Sequence, residues 1–152
     1  MIQRIQSLYL LLTTIASALF LTGDILKVIN TTAYNVSVKF SGIYRSDDGT
    51  LTKRFLLIAI ISVLVPVISG ITIFLFKNRK LQGRLILINL ILEIALIAAI
   101  VFVTIPLTGN PSAQVLPGFR VILPVLCLIF LILGYRGIVK DDDLVKSYDR
   151  LR

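Results

Sequence analysis

Histidine is absent from the 152 residues of this chain, and cysteine occurs once, as Cys127. Without an imidazole there is no histidine base, haem ligand or zinc–histidine site. A single cysteine excludes an intrachain disulfide. Cys127 sits inside an apolar run, where it reads as a small, soft packing residue rather than a reactive thiol, which needs an electropositive, wet setting. No Gly-rich phosphate loop, GxSxG, HExxH or CxxC motif occurs. The chain therefore reads as non-enzymatic, with no metal site and no cofactor. Charge is scarce too, at 16% of residues against 57% hydrophobic.

What fills the space is apolar length. Runs with few or no charges lie near residues 7–23, 55–76, 85–107 and 119–139. A helix rises about 1.5 Å per residue, so about 20 apolar residues cross a bilayer core of about 30 Å. Phe55–Phe76 carries no charge, Leu85–Leu107 carries only Glu93, and the fourth run keeps Arg120 and Arg136 at its edges. A soluble helical core would need polar faces to cover it, and these runs have none. The mean hydropathy of +0.94 agrees. The expectation is a single tetraspan domain over 1–152, an all-α bundle of four transmembrane helices. An outer loop at 24–54 and a cytoplasmic tail at 140–152 complete it.

The first run resembles a signal peptide, with Arg4 before Leu8–Leu21. Its cleavage region is poor. Ala16-Ser17-Ala18 falls inside the apolar stretch, and Leu21-Thr22-Gly23-Asp24 is not a small-x-small site. A retained helix is the better reading.

Basic residues set the orientation. The link after the second run carries Lys77, Arg79, Lys80 and Arg84 with no acidic residue, whereas 108–118 is uncharged. Both termini and the 77–84 link are expected in the cytoplasm of a bacterial inner-membrane protein. The net charge of +8 then belongs to helix flanks that meet anionic lipid headgroups. It does not indicate nucleic acid, which would want basic residues interleaved with aromatics on a folded domain.

In the outer loop, Tyr34, Val36, Val38 and Phe40 alternate with Asn35, Ser37, Lys39 and Ser41. That period of two signals a strand, and Ser46-Asp47-Asp48-Gly49-Thr50 reads as a turn. A short hairpin capping the helices is expected, with Tyr34, Val36, Val38 and Phe40 as its candidate interface.

Within the membrane, Glu93 lies about 12 Å along the helix axis from Leu85. Intramembrane carboxylates face a bundle interior, a wet cavity or a partner. Asn89 is one turn earlier on the same face. One reading is a proton or cation site. The favoured one is structural, a neutral carboxyl hydrogen-bonded to Ser62, Ser69 or another subunit's helix. Ser62 and Ser69 share a face of helix two and permit close packing, and Pro66 between them predicts a kink. In the tail, Leu144, Val145, Tyr148 and Leu151 fall on one stripe, with Asp141 among the acidic residues at its start. That pattern predicts a short cytoplasmic amphipathic helix able to dock on membrane, bundle or partner.

Three segments are familiar together. Met1-Ile2-Gln3-Arg4-Ile5-Gln6-Ser7-Leu8-Tyr9 opens the chain. Thr72-Ile73-Phe74-Leu75-Phe76-Lys77-Asn78-Arg79-Lys80-Leu81-Gln82 lies at its centre, and Lys140-Asp141-Asp142-Asp143-Leu144-Val145-Lys146-Ser147-Tyr148-Asp149-Arg150-Leu151-Arg152 closes it. The chain resembles an uncharacterised family of small four-helix inner-membrane proteins from Bacteroidota-type bacteria. The resemblance implies four spans and supplies no catalytic residues. It marks the chain ends, Arg4 with Asp141 among them, as one cytoplasmic unit. The functional expectation is a non-catalytic accessory or scaffolding subunit of a larger inner-membrane complex. The alternatives are a small proton or ion transporter working through Glu93, and a membrane enzyme.

Overall fold

The computed structural model describes residues 3–30, 35–75, 78–108 and 113–150, and the side chains of 5–29, 35–75, 78–106 and 114–140. The order is α1 (Gln3–Phe20), β1 (Asp24–Asn30), β2 (Val36–Lys39), β3 (Gly42–Arg45), β4 (Leu51–Arg54), α2 (Leu56–Phe74), α3 (Arg79–Thr108), β5 (Ala113–Pro117), a 3-10 turn (Phe119–Val121) and α4 (Ile122–Arg150). Among the described residues three segments are long and apolar enough to cross a membrane: Leu56–Phe74, Arg79–Pro106 and Phe119–Lys140. The apolar part of α1, Ile5–Phe20, is shorter. These helices make the chain a membrane protein.

The all-α expectation does not hold. The strands form one five-stranded antiparallel sheet in the order β4-β3-β2-β1-β5. The alternating segment became β2, as its pattern predicts, but it is one strand of five. β1 hides its period behind a bulge. The register with β2 slips between Asp24 and Leu26, so the consecutive residues Ile25 and Leu26 are both buried. β5 comes from the uncharged 108–118 link, to which the sequence analysis assigned no strand, and pairs with β1 from Leu26↔Pro117 to Asn30↔Ala113.

Local chemistry explains the turns. Gly49 adopts φ 62°, which costs glycine nothing, and its N–H donates to the Arg45 carbonyl at 2.9 Å. At Gly42 a Cβ would collide with the Lys53 carbonyl oxygen, so only glycine lets β3 approach β4.

Helix boundaries also move. α3 starts at Arg79, so Arg79, Lys80 and Arg84 lie in its first turns rather than in a loop, and it runs through Pro106 to Thr108. The expected separate tail helix is instead the continuation of α4, which runs unbroken to Arg150. The backbone at Arg4, Asp141, Leu144, Val145 and Tyr148 is helical. Their side chains, and Tyr34, Lys77 and Leu151 altogether, lie outside the described residues.

The helices close a ring: α1 packs on α2 and α4, and α3 packs on the same two. The sheet sits on one end of that ring. Ile25, Leu26, Val28 and Val38 from the sheet share a core with Ala16, Phe20, Ile58, Leu96, Leu123 and Cys127 from the helices. Val36, Phe40 and Ile43 pack against it. Val36, Val38 and Phe40 therefore face their own helix ends. A second apolar cluster, Leu10, Ile86, Leu131 and Ile138, lies toward the other end.

A polar seam between two apolar clusters

The inward positions recur every three or four residues on each helix. They are Gln6, Leu10, Thr13, Ser17 and Phe20 on α1, and Ile58, Ser62, Val65, Ser69 and Thr72 on α2. On α3 they are Gln82, Ile86, Asn89, Glu93 and Leu96, and on α4 Leu123, Cys127, Leu131, Gly134 and Ile138. This is the roughly 3.5-residue repeat that keeps one seam facing its neighbours in supercoiled helices. The composition is inverted relative to a soluble bundle. Ile5, Leu8, Leu11, Ile15 and Leu19 of α1 are exposed while Gln6, Thr13 and Ser17 are buried. Lipid accounts for this, because tails solvate leucine and only packing and hydrogen bonds draw helices together.

The seam bonds connect different helices. Ser69 Oγ donates to the Leu10 carbonyl at 3.0 Å, joining α2 to α1. Gln82 Nε2 donates to the Thr72 carbonyl at 3.3 Å, and Asn89 Nδ2 to the Val65 carbonyl at 3.4 Å, joining α3 to α2. Cys127 Sγ lies 3.7 Å from the Thr13 carbonyl, joining α4 to α1. Thr13 and Ser17 also bond back to carbonyls one turn earlier on their own helix, a habit of hydroxyl residues in apolar helices.

At the middle of the seam stands Glu93, 1% exposed. Glu93, Ser17, Ser62 and Cys127 line a cavity of about 10 Å³ together with Phe20, Val65, Leu96 and Pro124. That volume is at the lower bound for one water molecule, about 10–15 Å³. Ser62 Oγ, Asn89 Oδ1 and Glu93 Oε2 are buried and have no hydrogen-bond partner among the described residues. Pro66 lies inside α2 and has no N–H to offer the Ser62 carbonyl four residues earlier.

Of the polar residues singled out from sequence, Glu93, Asn89, Ser62 and Ser69 all face the interior. Ser62 and Glu93 meet at one cavity. Ser69 turns instead to α1, about two helical turns along α2 from Ser62 and its cavity. Sequence reading did not assign Gln6, Thr13, Ser17, Thr72 and Gln82 to the interior, where they are buried. Their signal was the seven-residue spacing of polar residues inside apolar runs, as at Gln6 and Thr13, Ser62 and Ser69, Gln82 and Asn89. Among the described residues there is no cluster of three or more His, Cys, Asp or Glu suited to a metal.

Among curated proteins none matches the chain. A family model does, the domain of unknown function DUF4293, over residues 2–151, and the chain, spanned almost end to end, belongs to that family.

Proposed function

We propose that the protein is a non-catalytic accessory or scaffolding subunit of a larger bacterial inner-membrane complex. In this reading α1 adds a fourth crossing beside α2 and α4. Arg79, Lys80, Arg84, Arg136 and Lys140 then lie at the cytoplasmic end among anionic headgroups, and the sheet lies on the outer side.

One observation carries the proposal, the contrast between the sheet's two edges. β4 carries Lys53 and Arg54 and a register irregularity against β3, both of which discourage strand addition. β5 is Ala113-Gln114-Val115-Leu116-Pro117, without charge. Among the described residues its one partner in the sheet is β1, and Leu116 is half exposed. An uncharged edge is a template for an extended segment of another chain, with main-chain bonds for affinity and alternate side chains for specificity. The partner that fits is a membrane-protein subunit with an extended outer segment.

The test is purification of the tagged chain from its native membrane in gentle detergent, with mass spectrometry of what accompanies it. A stoichiometric membrane-protein partner, retained by the wild type and lost with Leu116→Lys, is the expected result. A monodisperse chain with no partner overturns the proposal.

A further inference from the structure

At the sheet end of the bundle, the first turn of α2 and the C-terminal part of α3 leave a groove of about 330 Å³ between them. That volume lies in the range of small-molecule sites, about 300–1,000 Å³. The buried Ile58 and the half-buried Ala99 and Val103 make its floor. Leu57 and Phe102, 75% and 76% exposed, stand as its walls. The junction is held in place, because the Phe55 N–H donates to the Ser41 carbonyl at 3.0 Å.

The mouth of the groove is charged. Arg54, the last residue of β4, is its one charged lining residue, and it precedes α2 by a single residue. Among the described residues no carboxylate pairs with it. The ion pairs join Asp24 to Lys27 and Lys39, and Asp48 to Arg45. Arg54 stands opposite Gly42, at the other end of the β3–β4 hairpin from Asp47 and Asp48. Lys53 adds a second positive charge at the same level, and α2 starts with no acidic residue in its first turn. A guanidinium above an apolar cleft complements a phosphate above an acyl chain.

Length decides between a lipid and a helix as the occupant. Ala99 to Val103 covers about 6 Å of α3, whereas a helix is about 10–12 Å wide and packs along its whole crossing of about 30 Å. A short groove at one end suits a single chain hanging below a headgroup. The headgroup also narrows. A zwitterionic lipid brings an ammonium, and no acidic residue lines this groove to receive it.

We infer that the groove between α2 and α3 binds one anionic glycerophospholipid from the leaflet on the sheet side. Arg54 holds its phosphate, and one acyl chain lies on Ile58, Ala99 and Val103 between Leu57 and Phe102. The bound lipid covers the outer end of the α2–α3 contact. The site rests on α2 and α3 crossing the membrane and is independent of any partner at β5, which forms the opposite edge of the sheet.

The experiment strips the full chain of lipid in mild detergent and titrates it with phosphatidylglycerol or phosphatidylethanolamine of equal acyl length, with bound lipid read by native mass spectrometry. One phosphatidylglycerol per chain should bind at about tenfold lower concentration than phosphatidylethanolamine. Arg54→Ala should weaken phosphatidylglycerol binding about tenfold, and Arg54→Lys by less. Ala99→Phe fills the floor with an apolar ring at a lipid-facing position and should block the one-to-one complex without lowering the melting temperature. Equal binding of the two lipids, or binding unchanged by both Arg54→Ala and Ala99→Phe, overturns the inference. So does an accompanying protein lost from native membranes with Ala99→Phe while lipid binding persists, which would give the groove to a partner's helix.

Discussion

Ser69 on α2 donates its hydroxyl to the backbone carbonyl of Leu10 on α1 at 3.0 Å, although 59 residues separate them in the chain. Both are fully buried, and the carbonyl also receives the Thr14 hydroxyl at 2.9 Å. The bond is one of the few specific links between two helices whose remaining surfaces are as content against lipid as against each other. Ser69→Ala should cost about 0.5–1.5 kcal/mol. Ser69→Leu adds overpacking at a closed position and should cost about 1–3 kcal/mol more. Unfolding in detergent by heat or denaturant measures both, and equal effects would show that volume does not matter at this contact.

Glu93→Met removes a buried ionisable group and replaces it with an apolar chain of similar reach. Replacing buried charge by packed apolar groups is neutral or stabilising. The variant should melt at or above the wild type, by up to about 2 kcal/mol in stability. A marked loss would mean that the carboxyl makes a stabilising interaction inside the seam.

Glycines make opposed predictions at two sites. At Gly118 a Cβ would lie 2.8 Å from the Ile25 carbonyl oxygen and 3.1 Å from that of Asp24, both backbone atoms at the start of β1, and the Ile25 carbonyl accepts the Gly118 N–H at 2.9 Å beside the β1–β5 pairing. Gly118→Ala should cost about 1–3 kcal/mol and speed hydrogen exchange at Val28 and its neighbours in β1. At Gly134 the nearest atom to a new Cβ is Tyr9 Cβ at 3.8 Å, an ordinary contact. There Gly134→Ala should be neutral or stabilise by about 1 kcal/mol through helix propensity.

Much of this was legible in sequence, and what was not had a physical cause. The apolar runs were readable because lipid demands their length. Their inward faces were not, because a helix with apolar residues on every side shows no contrast between lipid and neighbour. The contrast that survives is polar: Gln82, Asn89 and Glu93 mark the seam of α3, and Leu81, Ile88 and Ile91 its outer side. Ser62 and Glu93 were therefore identifiable as interior groups, whereas Cys127 at the same cavity was visible only as packing. The sheet was half legible. Val36-Ser37-Val38-Lys39 alternates cleanly, but the bulge at Ile25 breaks the alternation of β1. β5 is a short strand that ends in Pro117, and its pairing with β1 is set by the fold. The continuity of α4 was hidden by Asp141-Asp142-Asp143, a run that resembles a helix start and here lies mid-helix.

Orientation can be read chemically. In a Cys127→Ala background, Asn78→Cys should react with a membrane-impermeant thiol reagent only after the cytoplasmic side is opened. Asp48→Cys and Gln114→Cys should react from outside in intact cells or spheroplasts. All three positions are exposed, and the native Cys127, 1% exposed, should stay unlabelled from either side. Labelling of Asn78→Cys from outside would invert the proposed threading.

The pairing of β1 with β5 joins a strand made before α2 to one made after α3. Synthesis runs from one end, so β1 emerges early and its second neighbour arrives only when the chain has been made past Pro117. Until then β1 has β2 on one side and bare amides on the other. The sheet thus closes only when the α2–α3 hairpin has been made and has brought β5 back to β1. A chaperone or quality-control protease that recognises unpaired strands would have, in that one bare side, a direct reading of whether that hairpin had been delivered.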